Sequence, residues 1–280
     1  MTTGQDAFRN AEAAQASGEK IDFSFGENWR KFLQDLTLER EAQAADSLSA
    51  AFGPAGLHGG TFLDLGCGSG LFSLAALRLG ASRVVSIDVD PHSVACAIAL
   101  RKRAGDPERW TIREGSLLDA GFVAQIEPSD RVYSWGVLHH TGAMWSAIEN
   151  AMTLVRPGGL FCLALYNRPN HPAIHMFLKR AYNRAPRVAR PAFTAAYGSA
   201  WLLMQAVRGR SPVRFVREYG ATSRGMRFWR DVEDWLGGLP FEFTDQAGVR
   251  SFAESHGFVV ESVTVRAPGN NNDYLLRRGV

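Results

Sequence analysis

Three glycines alternate with small residues in Leu63-Asp64-Leu65-Gly66-Cys67-Gly68-Ser69-Gly70, between an apolar run from Thr61 and a second from Leu71. Glycine has no Cβ, so it takes up positive φ without strain and lets a ligand approach the main chain closely. Such a bend feeding a helix also offers unpaired N–H groups to an anionic group. Nucleotide cofactors and adenosylated amino acids both use this arrangement. The spacing here is GxGxG, and Leu71 stands where a dinucleotide fingerprint, GxGxxG, has its third glycine. No GxxxxGK[ST] phosphate loop is present.

Two acids accompany the bend. Asp88 ends the run Ser86-Ile87-Asp88, 18 residues past Gly70, and a carboxylate at a strand end there can accept from two vicinal ribose hydroxyls. The competing reading is a solvated strand-end acid. Asp64 precedes the first glycine by two residues; it either holds an ammonium, directly or through water, or orders the loop. Two polar pairs follow later apolar runs: His139-His140 and Tyr166-Asn167. Open α/β sheets place ligands beyond the carboxyl ends of their strands. One histidine is expected to face inward, and His140 is the candidate base on the substrate side, with loop packing as the alternative. Tyr166 could orient a substrate hydroxyl or wall the pocket, and Asn167 offers both a donor and an acceptor. Strand-end capping would explain both equally well.

The elements that must position these residues alternate from 61 to 165. Thr61 to Gly66 reads as a strand, Leu71 to Gly80 as a helix, Arg83 to Asp90 as a strand, and His92 to Gly105 as a helix closed by glycine. Strand-like Trp110 to Asp119 and Arg131 to His140, the helix Met144 to Val155 and the run Gly159 to Asn167 follow. That rhythm predicts a doubly wound α/β fold, a mostly parallel sheet with helices on both faces. Near the end, Asp245 to Gly257 reads as a helix, and Asn272 to Arg278 as a last strand antiparallel to its predecessor. Four segments result: a helical leader, 1–58; the α/β core, 59–167; a mostly helical insertion or lid, 168–245; and 246–280, a helix and two strands completing the core.

Phe62-Leu63-Asp64-Leu65-Gly66-Cys67-Gly68-Ser69-Gly70 resembles the first motif of the class I S-adenosylmethionine-dependent methyltransferases. Val84 to Val94 resembles the second, Arg113 to Asp119 the third, and Arg131 to Phe161 the fourth and fifth. The resemblance covers about residues 60–165 and implies a seven-stranded sheet with its final strand antiparallel. It implies S-adenosylmethionine as the cofactor, with Gly66, Cys67, Gly68 and Gly70 near its methionine part and Asp64 beside them. It puts Asp88 on the ribose, Val89 beside the adenine, Ser116 and Leu117 in contact with it, and Trp135 along the other side. Gly115-Ser116 stands where a Gly-Asp pair is frequent, so the adenine contact there passes to a hydroxyl. Family members often fold an N-terminal helix over the cofactor, which makes Trp29 a lid candidate.

Methyl transfer from a sulfonium is an in-line displacement that needs the nucleophile held at about 3–3.5 Å with water excluded. No metal is required, and the three cysteines show no metal-ligand spacing. The expected acceptor is an oxygen or nitrogen of a small molecule, with His139, Asn167, Arg227, Trp229 and Asn272 as substrate contacts. Asn270 to Asn272 also read as a turn.

The insertion is the other informative region. Residues 168–230 hold 13 Lys and Arg and one acid, Glu218, while the whole chain carries only +3. Within it, Ala192 to Val207 is uncharged with arginines on both flanks. This stretch reads first as a buried lid helix. The alternatives are an interfacial helix giving peripheral membrane contact through 187–210, which would suit a lipid or quinone substrate, and a homodimer contact. The arginines read as a solvated face, or as contacts to an anionic substrate or surface; nucleic acid is not expected. No apolar signal core or spanning stretch appears, which with sparse cysteines predicts a cytoplasmic protein. A nicotinamide-dependent oxidoreductase and a non-catalytic nucleoside binder stay open as readings of another class.

Overall fold

A computed structural model of the chain describes residues 37–53, 56–222 and 227–280. Trp29, with most of the leader, lies outside these residues. The core alternates β1 (Thr61–Leu65), α2 (Leu71–Arg78), β2 (Arg83–Asp88), α3 (Pro91–Arg103), β3 (Trp110–Glu114), a short α4 (Ala120–Val123) and β4 (Ser129–Trp135). A single 3₁₀ turn, Leu138–His140, leads to α5 (Met144–Thr153) and β5 (Val155–Tyr166). Ahead of this unit, α1 (Leu38–Phe52) starts at Thr37, whose Oγ1 accepts from the Arg40 N–H at 3.4 Å.

The seven strands run β3-β2-β1-β4-β5-β7-β6, with β6 (Phe258–Thr264) and β7 (Asn271–Arg278) closing the sheet after α10 (Gln246–Ser255). β1 to β5 pair in parallel, and β7 is antiparallel to both β5 and β6. The sheet expected from the sequence is therefore the sheet observed. Its central strands are buried on both faces: every residue from Phe62 to Leu65 and from Gly159 to Tyr166 is buried. Parallel strands covered by helices on each side require such near-continuous burial. One core, with Leu63, Val132, Phe161 and Ile148, lies under α5 and α10; a second, with Phe62, Ala75, Leu48 and Phe52, lies under α1 and α2. Glycines in left-handed backbone stop the helices where the sequence places them: Gly80, Gly105 and Gly257 have φ of 88°, 90° and 76°.

Between β5 and α10 the chain leaves the sheet for four helices: α6 (Pro172–Arg184), α7 (Arg190–Val207), α8 (Pro212–Thr222) and α9 (Phe228–Gly237). They form a small core of their own from Tyr182, Tyr219, Phe228, Val232 and Leu236, with Tyr197, Trp201 and Phe215 packed against it. α7 is not the buried lid helix the sequence suggests. Only Gly198 and Gln205 along it are buried, and its outward residues are exposed. Apolar residues on both sides of a helix give no clue to which side faces out. The last strand read from Asn272 is observed, and it opens one residue earlier: Asn271, read as part of the turn, pairs opposite Tyr166.

The start of α2 depends on a contact the sequence hides. Gly70 sits at φ 78°, and a Cβ there would lie 2.9 Å from Trp110 Cζ2 and 3.1 Å from Ala97 Cβ. Gly70→Ala should therefore destabilise the protein by about 1–3 kcal/mol, through overpacking and left-handed strain together. Chemical denaturation measures this, and an unchanged midpoint would contradict the contact.

Candidate functional site

The glycine bend is tied to the neighbouring strand. Ile87 O accepts from the N–H groups of Gly66 and Cys67 at 2.8 and 3.0 Å, and the Gly68 N–H donates to Asp88 Oδ2 at 2.9 Å. Gly66, Gly68 and Gly70 all have positive φ. A Cβ on Gly66 would come within 2.4 Å of both Val137 methyl carbons. The side-chain positions of Gly66 and Gly70 thus face protein, Val137 and Trp110, and not a ligand. α2 begins beyond Gly70 with no side-chain cap, and Ser69 Oγ is buried in the bend without a partner. Cys67 is buried, its Sγ 3.9 Å from Gly68 O.

Beneath the bend lies a chain of hydrogen bonds that ends at Asp64. Trp110 Nε1 donates to Ser86 Oγ at 2.7 Å, and Ser73 Oγ donates to Asp64 Oδ2 at 2.5 Å. Ser73 has one hydroxyl proton and gives it to Asp64 when that carboxylate is ionised, and the 2.6 Å contact between the two serines then runs from Ser86 to Ser73. Burial nevertheless pushes the Asp64 carboxyl up to about 7; the Ser73 bond opposes the shift and the nearby Asp88 charge adds to it. Desolvation outweighs the hydrogen bonds here.

Asp88, beside this chain, is half-buried. Its Oδ2 accepts from Gly68 and its Oδ1 from the Asp90 N–H at 2.9 Å, so each oxygen still has capacity for a second donor. Burial raises its pKa, against those two backbone bonds. Val89 beside it is an exposed apolar side chain, at 63 %. Across the strand end, Leu117 is buried, and Ser116 Oγ accepts from the Leu118 N–H at 3.1 Å. Trp135 reaches across the sheet, donating from Nε1 to Asp273 Oδ1 at 2.8 Å. Two aligned acceptor oxygens, an exposed apolar neighbour and a bend with an orphaned hydroxyl fit an adenosyl group.

On the other side of β4 and β5 the two histidines share the 3₁₀ turn. His139 is fully buried, its ring 4.1 Å from that of Tyr166; burial first, then the His140 and Lys179 charges, hold its pKa well below the usual imidazole range. His140 is partly buried, and its Nδ1 lies 2.7 Å from Pro240 O. A carbonyl only accepts, so Nδ1 carries the proton and Nε2 the lone pair. Burial and the Lys179 charge push His140 down to about 3. Gly238 makes room for this ring: a Cβ there would be 2.7 Å from His140 Cε1.

Lys179 and Glu242 were not singled out by sequence reasoning. Lys179 on α6 is fully buried, donates from Nζ to Trp235 O, and stands 4.5 Å from the Trp235 ring centre, 4.7 Å from Phe241 and 5.7 Å from Tyr166. Burial lowers its pKa to about 7. In the sequence it is one more cation in a basic run. Glu242, also buried, accepts from Gly142 and Met144 N–H groups at 2.9 and 3.1 Å, and so caps α5 from a distance of 98 to 100 residues. Tyr166 completes the cluster; burial raises its pKa, helped by the Asp231 and Asp234 charges.

The remaining candidates stand apart from this cluster. Trp229 packs over Gly198 of α7, where a Cβ would meet its ring at 2.3 Å, and Arg227 is exposed at the start of α9. Asn167 Nδ2 donates to Arg266 O at 3.2 Å. Asn272 is fully buried, its Oδ1 accepting from the Arg266 N–H at 2.8 Å. Among the described residues no group of side chains has metal-binding geometry, and no helix is long and apolar enough to cross a membrane.

Residues 63–161 match the family model of a methyltransferase domain. That stretch, the core of the sheet, is similar to a methyltransferase domain. It is 40% identical over 116 residues to the ubiquinone biosynthesis O-methyltransferase of Methylobacterium sp. strain 4-46, covering 41% of this chain and 45% of that protein. It is 32% identical over 109 residues to the ribosomal protein L11 methyltransferase of Aliivibrio salmonicida, covering 39% and 34%. The matched stretch is thus less than half of each relative, and it is the domain core. The fold as a whole is similar to magnesium protoporphyrin IX methyltransferase from Synechocystis PCC 6803, with TM-score 0.52 and 14% identity over 99% of this chain and 95% of that one.

The two histidines each give the fold an acid-sensitive contribution. Their folded pKa values lie below the ordinary 6.5, so below that pH these two side chains bind more protons in the unfolded chain than in the native one. The histidine contribution to stability should fall as pH drops from about 6.5 toward 3, by at most roughly 1.4 kcal/mol per pH unit for each group, while Asp64, raised to about 7, contributes in the opposite sense as pH falls through that value. Urea unfolding across that window should show a shallower decline for His140→Gln than for wild type. Identical declines would remove His140 from the effect.

Proposed function

We propose that this chain transfers a methyl group from S-adenosylmethionine to an oxygen or nitrogen of a small molecule. The observation that carries the reading is the Asp88 carboxylate, fixed by Gly68 and Asp90 N–H groups at the mouth of the glycine bend. When bound, the cofactor supplies an electrophilic methyl on a positively charged sulfur. Asp88 would hold the ribose hydroxyls, Val89, Ser116 and Leu117 the adenine, and the main chain around Gly68 the methionine part.

The acceptor side is the cluster of His139, His140, Tyr166 and Lys179. A base works best with a pKa near the working pH. At about 3, His140 is a weak base, and its Nε2 lone pair is better suited to orienting a substrate hydroxyl or N–H. Lys179, at about 7, is better matched to taking the proton that the acceptor loses. The surrounding Trp235, Phe241 and Tyr166 rings exclude water from it.

A second reading, a lipid or quinone acceptor, is favoured by the uncharged outward face of α7 and by similarity to a ubiquinone biosynthesis O-methyltransferase. The oxidoreductase reading has Leu71 against it, packed inside the core where a third glycine would stand.

Calorimetry with S-adenosylhomocysteine should show binding, weakened in Asp88→Ala by about 1–3 kcal/mol, the usual scale for hydrogen bonds to a charged group. Thermal stabilisation by NAD without any by S-adenosylhomocysteine would overturn the reading. Once an acceptor is found, kcat/KM should rise with pH around about 7 as Lys179 loses its proton. That limb should vanish in Lys179→Met, and its persistence would assign the base elsewhere.

A further inference from the structure

The outward arc of α7 is chemically the reverse of an ordinary surface helix, which is charged where it meets water. Its inner side, with Tyr197, Gly198, Trp201 and Gln205, packs into the insertion. Its outer side is Ala192, Ala195, Ala196, Ser199, Leu203, Ala206 and Val207, all exposed, with one hydroxyl and no charge. These positions recur at three- and four-residue steps and so form one stripe along the helix. Leu203 is 66 % exposed and Val207 81 %, and the turns at either end add Val188 at 91 % and, opening α8, Val213 at 78 %.

The charge around the stripe says what could cover it. Arg184 and Arg187 precede α7, and Arg208, Arg210, Arg214 and Arg217 follow it, all exposed. No Asp or Glu occurs between Arg168 and Arg217. Pairing two copies through this face would bring the arginine-rich ends of both toward each other, since a two-fold contact repeats the same patch. A surface that is apolar below and negatively charged at its boundary complements both features. The helix falls short of a membrane span, so it would lie along such a surface and not through it.

We propose that α7 is a docking surface for an anionic phospholipid bilayer. Its Leu203 and Val207 side enters the headgroup–acyl boundary, and the arginines at both ends meet lipid phosphates, their aliphatic stems extending the apolar area. The proposal does not rest on the methyl-transfer reading, and its test needs no methyl donor.

The full chain would be sedimented with vesicles of phosphatidylcholine alone and of phosphatidylcholine mixed with phosphatidylglycerol. Binding is expected to the mixed vesicles, to fall with added salt, and to weaken about tenfold or more in Leu203→Glu/Val207→Glu and in Arg187→Glu/Arg208→Glu. All four side chains point outward, so the circular dichroism of both variants should match wild type. Absence of binding to the anionic vesicles, or equal binding by wild type and both folded variants, would overturn the proposal. So would light scattering that shows a wild-type dimer, split by Leu203→Glu/Val207→Glu, without vesicle binding; that result would give the face to a second copy. Failure to bind S-adenosylhomocysteine would count against the methyl-transfer reading alone.

Discussion

The bend between β1 and α2 is closed by one carbonyl and one carboxylate of the adjacent strand. Ile87 O takes two N–H groups and Asp88 takes a third, so three successive residues of the bend are fixed to β2 before any ligand arrives. Below, Asp64 is buried at the end of a hydrogen-bond chain that starts at the Trp110 indole. Preorganisation of this kind lowers the ordering cost of binding. The rest of the core serves it: parallel pairing brings β1 and β2 into register, and Val137 and Trp110 occupy the positions where Gly66 and Gly70 lack side chains.

The two halves of the proposed site differ in electrostatic character. The donor side holds two carboxylates whose pKa values are raised by burial. The acceptor side holds imidazoles and a lysine whose pKa values are lowered by burial. In both, desolvation is the leading cause, and in both it favours the neutral form. A carboxylate half-protonated near neutrality and a lysine half-deprotonated there can each exchange a proton at little cost, a common property of catalytic sites.

Much of the core was legible because its signals are local. Glycines at 66, 68, 70, 80, 105 and 257 mark bends and helix ends by backbone conformation alone, and the apolar runs of β1, β2 and β5 report burial on both faces. Long-range partnerships were not legible. Nothing near Glu242 says that it caps a helix 98 residues earlier, and nothing near Gly238 says that a histidine ring lies against it. Lys179 sits among arginines that face solvent, and only the fold turns it inward. α7 misled for the opposite reason. Its apolar pattern is strong on every side, so it predicted burial where the structure shows a bare face.

The helical excursion after β5 departs and returns at one spot. Asn167 forms a parallel bridge with Thr244, the Arg168 N–H donates to Thr244 O, and the Thr244 N–H donates to Tyr166 O. A second fastening follows α9, where Pro240 O meets His140 and Glu242 accepts from Gly142 and Met144, so the four helices hang from the sheet like a handle with two rivets. Both rivets lie outside α7 and α8, so recutting those two outer helices would leave the strand order and its fastenings in place.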